Sequence, residues 1–413
     1  MATGAALAAG LAVAASPAAS AATAAAAAPG RAPGAARPRT PGGEPPPVRL
    51  VLPRPSGPHP LGTVALHLTD HGRRDPWSDT RPAREVMVQL WYPARATATG
   101  PDRAPWMTAK AAEVFQRTGY LLPPYATLPD THARTGAAAR TRDGRRPVII
   151  YSHGHGQHRA SSTALVEDLA SHGYVVVTVD HTYDAGQVEF PGGRVETYGM
   201  PPFSDRDDDP VILKAVDVRV ADTRFVLEEL SRWARPGRGP HPGGDPLPQG
   251  LAGVLDLSRT AMFGHSLGGA TAAAAMAAEV PFLAGANLDG SLFGPVVTQG
   301  LRGPFLLMGE DADVHPSWHE VWPRLRGWRR HLRMTGTRHF SYTDYETFLP
   351  QVAERLGATP EQLAEAIGPL DGARAVEIQR RFLLAYFDLH LCDRRARLLE
   401  GPSPRYPEVD FIA

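Results

Sequence analysis

The stretch AMFGHSLGGATAAAA, Ala261–Ala275, decides the fold class, because a tight glycine-containing turn joins an apolar run to an alanine-rich run. Gly264 and Gly268 flank Ser266 at a distance of two residues, where a sharp turn from strand to helix leaves no room for side chains. Such a turn exposes the serine as a candidate nucleophile; in the alternative interpretation, Ser266 only caps an ordinary helix. We interpret His265 as a residue that merely fills the turn. The pattern alone is weak in a chain with 41 glycines, so the rest of the sequence must supply a base, an acid and an oxyanion site.

Strand-like and helix-like segments alternate along the chain from Val48 onward. Continuous apolar runs, typical of strands covered on both faces, lie at 146–154 and 174–182, and a helical segment between them ends at Gly173. The same reasoning predicts an early antiparallel pair of strands, 62–70 and 84–94. It also predicts a helix from about residue 210 and a C-terminal helix. Four later strands are predicted at 259–266, 282–289, 303–311 and 329–339, and the fourth of these is expected to be the last strand of the chain. This alternation predicts an α/β class with a mostly parallel central sheet flanked by helices.

The N-terminal segment differs in composition from the rest of the chain. The first 28 residues are mostly alanine, and Ala19-Ser20-Ala21 fits a small-residue cleavage pattern. We therefore expect residues 1–47 to be a signal peptide followed by an Ala/Pro/Gly-rich leader, and the protein to be secreted; a disordered alanine-rich leader is the alternative. Since no internal repeat is visible, residues 48–413 are predicted to form a single domain.

The overall charge excludes several classes of partner. Forty-three acidic residues balance 43 basic ones, which leaves no field to hold nucleic acid or an anionic membrane. The single cysteine, Cys392, excludes an internal disulfide and a cysteine-based metal site. No segment beyond the leader has the run of about 18 apolar residues that a transmembrane helix needs. The oligomeric state stays open.

The segment YSHGHGQHR, residues 151–159, follows the first central apolar strand and is the candidate oxyanion loop. When a serine lies on a strand-to-helix turn of this kind, one backbone N–H comes from the residue after it and another from the loop after the early central strand. Leu267 and His155 fit these two places. In the alternative interpretation, His153, His155 and His158 bind a metal, but no cysteine or carboxylate lies nearby. We therefore expect no metal and no organic cofactor.

The base and the acid must follow the serine in chain order. His339 is the candidate base, because it lies in the loop after the predicted last strand, whereas His331 lies inside that strand and His390 lies on the C-terminal helix. Three carboxylates are candidates for the acid and cannot be separated by periodicity, since any of them could orient and stabilise the imidazole. They are Asp289, after the strand that follows the alanine-rich helix, and Asp311 and Asp313, after the next strand.

Several motifs together resemble the plasma-type platelet-activating factor acetylhydrolase family of α/β-hydrolases. The resemblance runs from about Thr69 to Tyr345 and rests on VQLWYPA, YSHGHGQHR, DLASHGYVVVTVDH, GHSLGGAT, LDGSLFGP and HFSYTDY. It implies the α/β-hydrolase fold, a catalytic triad of Ser266, Asp289 and His339, and oxyanion donors at His155 and Leu267. Tyr342 and Asp344 also fit the family's pattern. His155 departs from it, because the animal enzymes carry an apolar residue there.

The resemblance implies a serine esterase that cleaves short-acyl, platelet-activating-factor-like phospholipid or lipid esters through an acyl-enzyme. The expected partner is then a small-molecule ester or lipid, with at most transient contact with a lipid surface. The alternatives are a broad carboxylesterase or polyester hydrolase, a thioesterase or peptidase with the same triad, and a non-catalytic α/β-hydrolase that only binds its ligand. Two segments depart from the family: an insertion, Pro105–Pro129, and a Pro/Gly loop, Pro236–Gly250. The apolar insertion is expected to form either a pocket wall or lipid-facing lip, or a loop packed on the core.

Overall fold

The computed structural model describes residues 47–96, 102–118, 121–204, 206, 208–235, 246–312 and 315–413. Three predicted features lie wholly or largely outside these residues: the leader apart from residue 47, most of the loop Pro236–Gly250, and Asp313. The division of the chain into a leader and one domain stays a prediction from sequence.

A large central sheet contains most of the strands that the structure describes. The strands, in chain order, are β1 Val48–Arg49, β2 Leu61–Asp70, β3 Arg84–Pro93, β4 Arg103–Pro105, β5 Ala126–Thr127, β6 Asp130–Thr135, β7 Arg146–Ser152, β8 Val175–Asp180, β9 Gln187–Glu189, β10 Val195–Thr197, β11 Leu255–His265, β12 Ala284–Leu288, β13 Phe305–Gly309, β14 Arg329–Met334 and β15 Val409–Phe411. The order across the central sheet is β15-β14-β13-β12-β11-β7-β8-β3-β2-β6-β4. The strands from β14 to β8 in this order are parallel, so their carboxyl ends lie along one edge, where ligands bind in such sheets.

Helices cover both faces of the sheet. Their bounds are α1 Ala109–Thr118, α2 Thr163–Ser171, α3 Pro210–Trp233, α4 Leu251–Val254, α5 Leu267–Ala277, α6 Pro295–Gln299, α7 Pro316–Val321, α8 Tyr345–Leu356, α9 Pro360–Ile367 and α10 Gly372–Cys392. The apolar sides of α2 and α10 pack on one face of the sheet, and those of α3 and α5 pack on the other. This arrangement confirms the predicted α/β class with a mostly parallel sheet. Within the described ranges, no helix is both long enough and apolar enough to cross a bilayer.

The early strand pair was predicted correctly from the sequence, but the last strand of the sheet, β15, was not predicted. The early antiparallel pair is confirmed by the ladder of β2 and β3, which runs from Leu61 opposite Pro93 to Asp70 opposite Arg84. The prediction that the strand containing His331 is the last was wrong, because β15 pairs antiparallel with β14. Three residues close to the C-terminus are too few to produce a periodic signal.

The described part of the insertion packs on the core. Trp106, Phe115, Leu121 and Leu122 are buried in one cluster with side chains of α8, and the insertion contributes α1. The indole Nε1 of Trp106 donates a hydrogen bond of 2.8 Å to Asp344. The described part of the segment is therefore packed on the core, and residues 105–108 with Ala111 also line a pocket, so the structure supports both the packed loop and the pocket wall.

Candidate active site

Ser266 lies on a strained turn between β11 and α5. Its φ of 54° and ψ of −125° are conformations that non-glycine residues rarely adopt, and its side chain makes no capping hydrogen bond to α5. A Cβ atom on Gly264 would lie 2.2 Å from the backbone carbon of Gly268, and one on Gly268 would lie 1.9 Å from the carbonyl oxygen of Ser152. The two glycines are thus required by close backbone packing, and the geometry is that of a nucleophile elbow rather than a simple helix cap.

His339 and Asp289 meet at the carboxyl edge of the sheet. Asp289 follows β12, and its Oδ2 lies 2.6 Å from the Nδ1 of His339, in the loop after β14. Because a carboxylate accepts, Nδ1 carries the proton and Nε2 is left as the basic nitrogen. The N–H of Ser266 donates to the carbonyl of Leu288, next to Asp289, at 2.8 Å, which holds the elbow at the same edge. In the described chain the His339 imidazole is hydrogen-bonded to Asp289 and not to Ser266; catalytic contacts of this kind often tighten only when substrate binds.

The electrostatics of this pair favour a protonatable imidazole beside a permanent carboxylate. Burial alone would lower the pKa of His339, but its hydrogen bond with Asp289 and the negative charges of Asp289 and Glu310 outweigh burial and raise it. Burial alone would raise the pKa of Asp289, but the imidazoles of His315 and His339 outweigh burial and hold it well below its ordinary range. Asp289 is therefore charged wherever His339 titrates.

Two residues that sequence reasoning did not single out complete the surroundings of Asp289. The backbone N–H of Glu310 donates to Asp289 Oδ1 at 2.9 Å, and the Nε2 of His315 lies 3.6 Å from the same oxygen. Burial and the nearby charge of Asp289 raise the pKa of Glu310. Asp311, a rival for the acid, instead accepts a hydrogen bond of 3.1 Å from the N–H of Gly336. Asp313 lies outside the described residues.

The loop after β7 presents a free backbone N–H at His155. Among the described residues, the N–H groups of His155 and Leu267 donate to no backbone or side-chain acceptor. Both N–H groups are therefore free to donate to a ligand, and their role as oxyanion donors stays a prediction. The neighbouring residues Gly154 and Gly156 permit the turn: Gly156 has a φ of 68°, and a Cβ on Gly154 would lie 2.9 Å from the side chain of Gln157.

A fully buried arginine, Arg219, holds the loop after β7 in place, and sequence reasoning missed it. The guanidinium of Arg219, on α3, donates 2.5 Å and 3.5 Å hydrogen bonds to the carbonyls of His153 and Gly154. Its Nε and Nη2 atoms donate to the two carboxylate oxygens of Asp184 at 2.7 Å and 2.6 Å. Burial alone would raise the pKa of Asp184, but Arg219 outweighs burial and holds it below its ordinary range. Arg219 therefore fixes the two loop carbonyls that directly precede His155.

A second buried charged group lies directly beside the first. Asp222 lies one turn further along α3 and accepts hydrogen bonds from Nε and Nη2 of Arg84 at 3.1 Å and 2.8 Å. Its Oδ2 also lies 3.0 Å from the Nδ1 of His181, whose Nε2 lies 3.0 Å from the hydroxyl of Ser152 at the end of β7. The strand that leads into the candidate oxyanion loop is therefore held by a continuous network of paired charges and hydrogen bonds.

The side chain of His155 lies in an aromatic cluster. Its Nε2 is 3.0 Å from the hydroxyl of Tyr198, and its ring packs edge-to-face on Tyr198 and Phe203 at 5.1 Å and 4.8 Å. Burial lowers the pKa of His155 to about 4, so the ring is neutral at ordinary pH. Tyr198 and Phe203, both half-buried, belong to the same apolar cluster as Leu267, next to Ser266. This aromatic cluster therefore adjoins the candidate oxyanion donors.

The histidines of the loop engage separate neighbours. His153 Nδ1 lies 2.6 Å from the carbonyl of Gly154, whereas the ring of His158 packs against Trp106 and Phe115. Across the parts of the chain that the structure describes, no three His, Cys, Asp or Glu side chains are grouped so that they could hold a metal ion. The two rejected bases lie where the sequence placed them: His331 is in β14 and His390 is on α10.

Comparison with known proteins identifies relatives over most of the chain. A probable 1-alkyl-2-acetylglycerophosphocholine esterase from Arthroderma benhamiae is 27% identical over 397 residues, which cover 89% of this chain and 95% of that one. A platelet-activating factor acetylhydrolase from Bos taurus is 24% identical and covers 73% of this chain and 68% of its own. Among solved structures, a ferulic acid esterase from Streptomyces cinnamoneus matches with a TM-score of 0.72 and 34% identity, covering 88% of this chain and 99% of its own.

The family model described as platelet-activating factor acetylhydrolase, isoform II, matches residues 48–189 and 247–395. The two matched stretches contain the candidate nucleophile, acid, base and oxyanion donors. The segment between them, 190–246, contains Arg219, Asp222, Tyr198 and Phe203. Because the matched residues make up well over half of the chain, the protein belongs to the platelet-activating factor acetylhydrolase, isoform II, family.

Proposed function

We propose that this protein is a serine hydrolase that cleaves carboxylic esters, with Ser266, His339 and Asp289 as its catalytic triad and the backbone N–H groups of His155 and Leu267 as its oxyanion hole. The observation that supports this proposal most directly is the 2.6 Å contact between His339 Nδ1 and Asp289, at the sheet edge that carries the strained Ser266 turn. Membership of an esterase family supports the same reaction.

In the first half of the reaction, Nε2 of His339 removes the proton of the Ser266 hydroxyl, and Oγ forms a bond to the ester carbonyl carbon. The negative charge moves to the carbonyl oxygen, where the N–H groups of His155 and Leu267 stabilise it. When the intermediate collapses, the bond from carbon to the alcohol oxygen breaks, and His339 returns the proton to the departing alcohol. Asp289 keeps the imidazole oriented and stabilises its positive charge throughout.

In the second half, water takes the place of the alcohol. His339 removes a proton from the water, the resulting oxygen attacks the acyl carbon, and the same two N–H groups hold the second oxyanion. Cleavage of the bond to Ser266 Oγ, with proton return from His339, releases the carboxylic acid. The protein's own residues account for each proton transfer in this scheme.

Covalent labelling tests the nucleophile. We expect a fluorophosphonate to modify the wild-type protein at the peptide containing Ser266, and Ser266→Ala to lose both this labelling and ester turnover. Ser258→Ala is the matched control, because Ser258 is exposed in the irregular first part of β11, where its hydroxyl donates to Asp256. A wild-type protein that is folded but neither labelled nor active would overturn the proposal and favour a non-catalytic binding protein.

We further propose that short-acyl, platelet-activating-factor-like lipid esters are the substrates. Support comes from the family and from the Arthroderma benhamiae relative, whose name specifies a 1-alkyl-2-acetylglycerophosphocholine esterase. Rates measured on purified protein with the alcohol fixed and the acyl chain lengthened test this assignment. A steep fall beyond a few carbons is expected, whereas equal rates at all lengths would contradict it and favour a general lipase.

A specific observation favours a second candidate, a broader carboxylesterase that accepts aromatic esters. The neutral His155, Tyr198 and Phe203 form an aromatic surface beside the oxyanion donors, and aromatic side chains pack well against planar rings. The 34%-identical solved structure is a ferulic acid esterase. A higher kcat/KM for ferulate and nitrophenyl esters than for a short-acyl phospholipid, reduced in Tyr198→Phe, would support this candidate over the first.

We propose that the protein acts after export. The support is the alanine-rich N-terminal sequence with its Ala19-Ser20-Ala21 cleavage pattern. Expression of the full chain in a secreting host, followed by N-terminal sequencing of protein from the medium, tests this. Recovery of only uncleaved protein inside the cells would contradict it.

A further inference from the structure

His265, the residue before the candidate nucleophile, is completely buried and lies between the base loop and the oxyanion loop. Its Nε2 is 2.9 Å from the backbone carbonyl of His339, and its ring centroid is 4.4 Å from that of His339. On its other side, Nδ1 lies 3.2 Å from Oε1 of Gln157. One imidazole therefore contacts both of the loops on which the proposed reaction depends.

The proton on this ring can be assigned from its partners. Both nitrogens face acceptor oxygens, and the shorter contact, 2.9 Å against 3.2 Å, places the proton on Nε2, which donates to the carbonyl of His339. Burial, with the nearby imidazole of His339, holds the pKa of His265 well below its ordinary value, so the ring is neutral. In that form Nδ1 carries no proton, so its 3.2 Å approach to Oε1 of Gln157 is a steric contact and not a hydrogen bond, and the amide oxygen is held by the N–H of Gly154.

Gln157 carries the connection into the oxyanion loop. Its Oε1 accepts a hydrogen bond of 3.1 Å from the N–H of Gly154, the residue before His155. A Cβ on Gly154 would lie 3.0 Å from Nδ1 of His265, so the loop and the ring are in close contact at this point. Movement of His265 would therefore disturb both the backbone that carries the proposed base and the backbone that precedes a proposed oxyanion donor.

We propose that His265 is a positioning residue, which sets the proposed base and the oxyanion loop relative to each other through the carbonyl of His339 and the side chain of Gln157. This inference rests on the proposed function, because it gives His265 a role only if His339 and His155 act in catalysis. It replaces the sequence-based interpretation of His265 as a residue that fills the turn. The feature of His265 on which this positioning depends is its Nε2–H donor. A misplacement of about 1 Å in a reacting group can cost on the order of 100-fold in rate.

The test compares two substitutions of similar size. In His265→Gln the terminal amide places an N–H near the position of Nε2, whereas His265→Leu has no donor. We expect His265→Leu to lower kcat by about 10- to 100-fold with KM nearly unchanged, and His265→Gln to recover most of kcat. The rate of fluorophosphonate labelling should fall in parallel with kcat, because both depend on the placement of the base.

Further variants separate positioning from a general loss of folding. Gln157→Leu should also lower kcat, and the double variant with His265→Leu should lose less than the product of the single losses, because the two residues act through one connection. His390→Leu is the matched control: its partly buried ring packs on Trp328 and Tyr386 of the C-terminal region, so only stability should change. Melting temperature and the folded fraction are measured for every variant.

Each result bears on one claim. If wild-type protein is labelled and active but His265→Leu retains full kcat per folded molecule, or if both His265 variants lose the same activity, the positioning role is wrong and the proposed function stands. If the wild type is neither labelled nor active, the proposed function itself fails.

Discussion

The two sides of the candidate site are stabilised by different interactions. On the base side, Asp289 contacts the imidazoles of His339 and His315 and the N–H of Glu310, and the side chain of His339 is 26% exposed. On the oxyanion side, the loop is fixed by Arg219 and Asp184, whose side chains are at most 2% exposed. One side joins a fixed carboxylate to an imidazole that can gain a proton, and the other is a buried pair formed by an arginine and an aspartate.

This difference matches what each side does in the proposed reaction. The base gains and loses a proton in every half-reaction, so its surroundings must tolerate both the neutral ring and the imidazolium. The oxyanion donors are effective when they are already in place before charge develops, which requires a rigid backbone. Breaking a buried ion pair by removing one partner is costly, so a loop attached to such a pair is held firmly in place.

The largest expected effect comes from removing the charge on the base side. Asp289→Asn should reduce kcat by about 10⁴-fold, because the amide cannot stabilise the imidazolium and favours the wrong tautomer of His339. Stopped assays of ester hydrolysis measure this loss. Asp313→Asn is the control and should keep near-normal turnover; a normal rate in Asp289→Asn with a collapse in Asp313→Asn would reverse the assignment of the acid.

A smaller loss, of a different kind, is expected on the oxyanion side. Arg219→Met should destabilise the protein by about 3–5 kcal/mol, because Asp184 is left as an unpaired buried charge. It should also lower kcat of the folded molecules by about 100-fold, because the carbonyls of His153 and Gly154 lose the guanidinium and the loop is no longer fixed.

The double variant Arg219→Met/Asp184→Leu separates the two effects. Removing both charges should recover much of the free energy of unfolding, measured by urea denaturation, since apolar replacement of a buried pair is often tolerated. The rate should stay low, because neither new side chain binds the loop. Recovery of both stability and kcat would show that Arg219 serves only to neutralise Asp184, and the contrast between the two sides would then be lost.

Sequence reasoning was most successful where the chemistry is local. The glycines around Ser266 predict a turn, because any side chain at those positions would collide with neighbouring backbone, and the structure has that contact at Gly264 and Gly268. The apolar runs likewise predicted the parallel strands, because strands covered on both faces lack polar residues. The order of elements then placed Asp289 and His339 at one edge of the sheet.

Sequence reasoning missed groups whose role depends on distant contacts. Arg219 lies on the amphipathic helix α3, where an arginine is ordinarily a solvated residue, and only the packing of α3 against the end of β7 brings it to the carbonyl of His153. Asp311 and Asp289 both follow strands, and periodicity could not separate them. The resemblance favoured Asp289, which lies 2.6 Å from His339, and its role as the acid stays a prediction. The short strand β15 escaped because three residues carry no measurable period.

The smallest expected effect is a shift of the pH profile on the base side. The negative charge of Glu310 is one of the causes that raise the pKa of His339, and the proposed reaction needs the neutral imidazole. The kcat/KM of the wild type should therefore fall, as the pH decreases, at a pH above the ordinary histidine value of about 6.5. Glu310→Gln should move this acidic limb to lower pH, because the imidazolium loses a favourable neighbour, whereas Glu310→Asp should leave the limb almost in place.

Stability gives an independent check of the same pKa. A histidine whose pKa is raised by folding stabilises the protein below its unfolded pKa, and this contribution disappears as the pH rises through the folded pKa. Between mildly acidic and alkaline pH, the wild type should therefore lose more of its free energy of unfolding than Glu310→Gln does. Plateau kcat should change little, since the backbone N–H of residue 310 that binds Asp289 is retained. If the acidic limb of the kcat/KM profile does not move in Glu310→Gln, Asp289 alone sets the proton affinity of His339. The base side would then depend on one fixed charge, as the oxyanion side does.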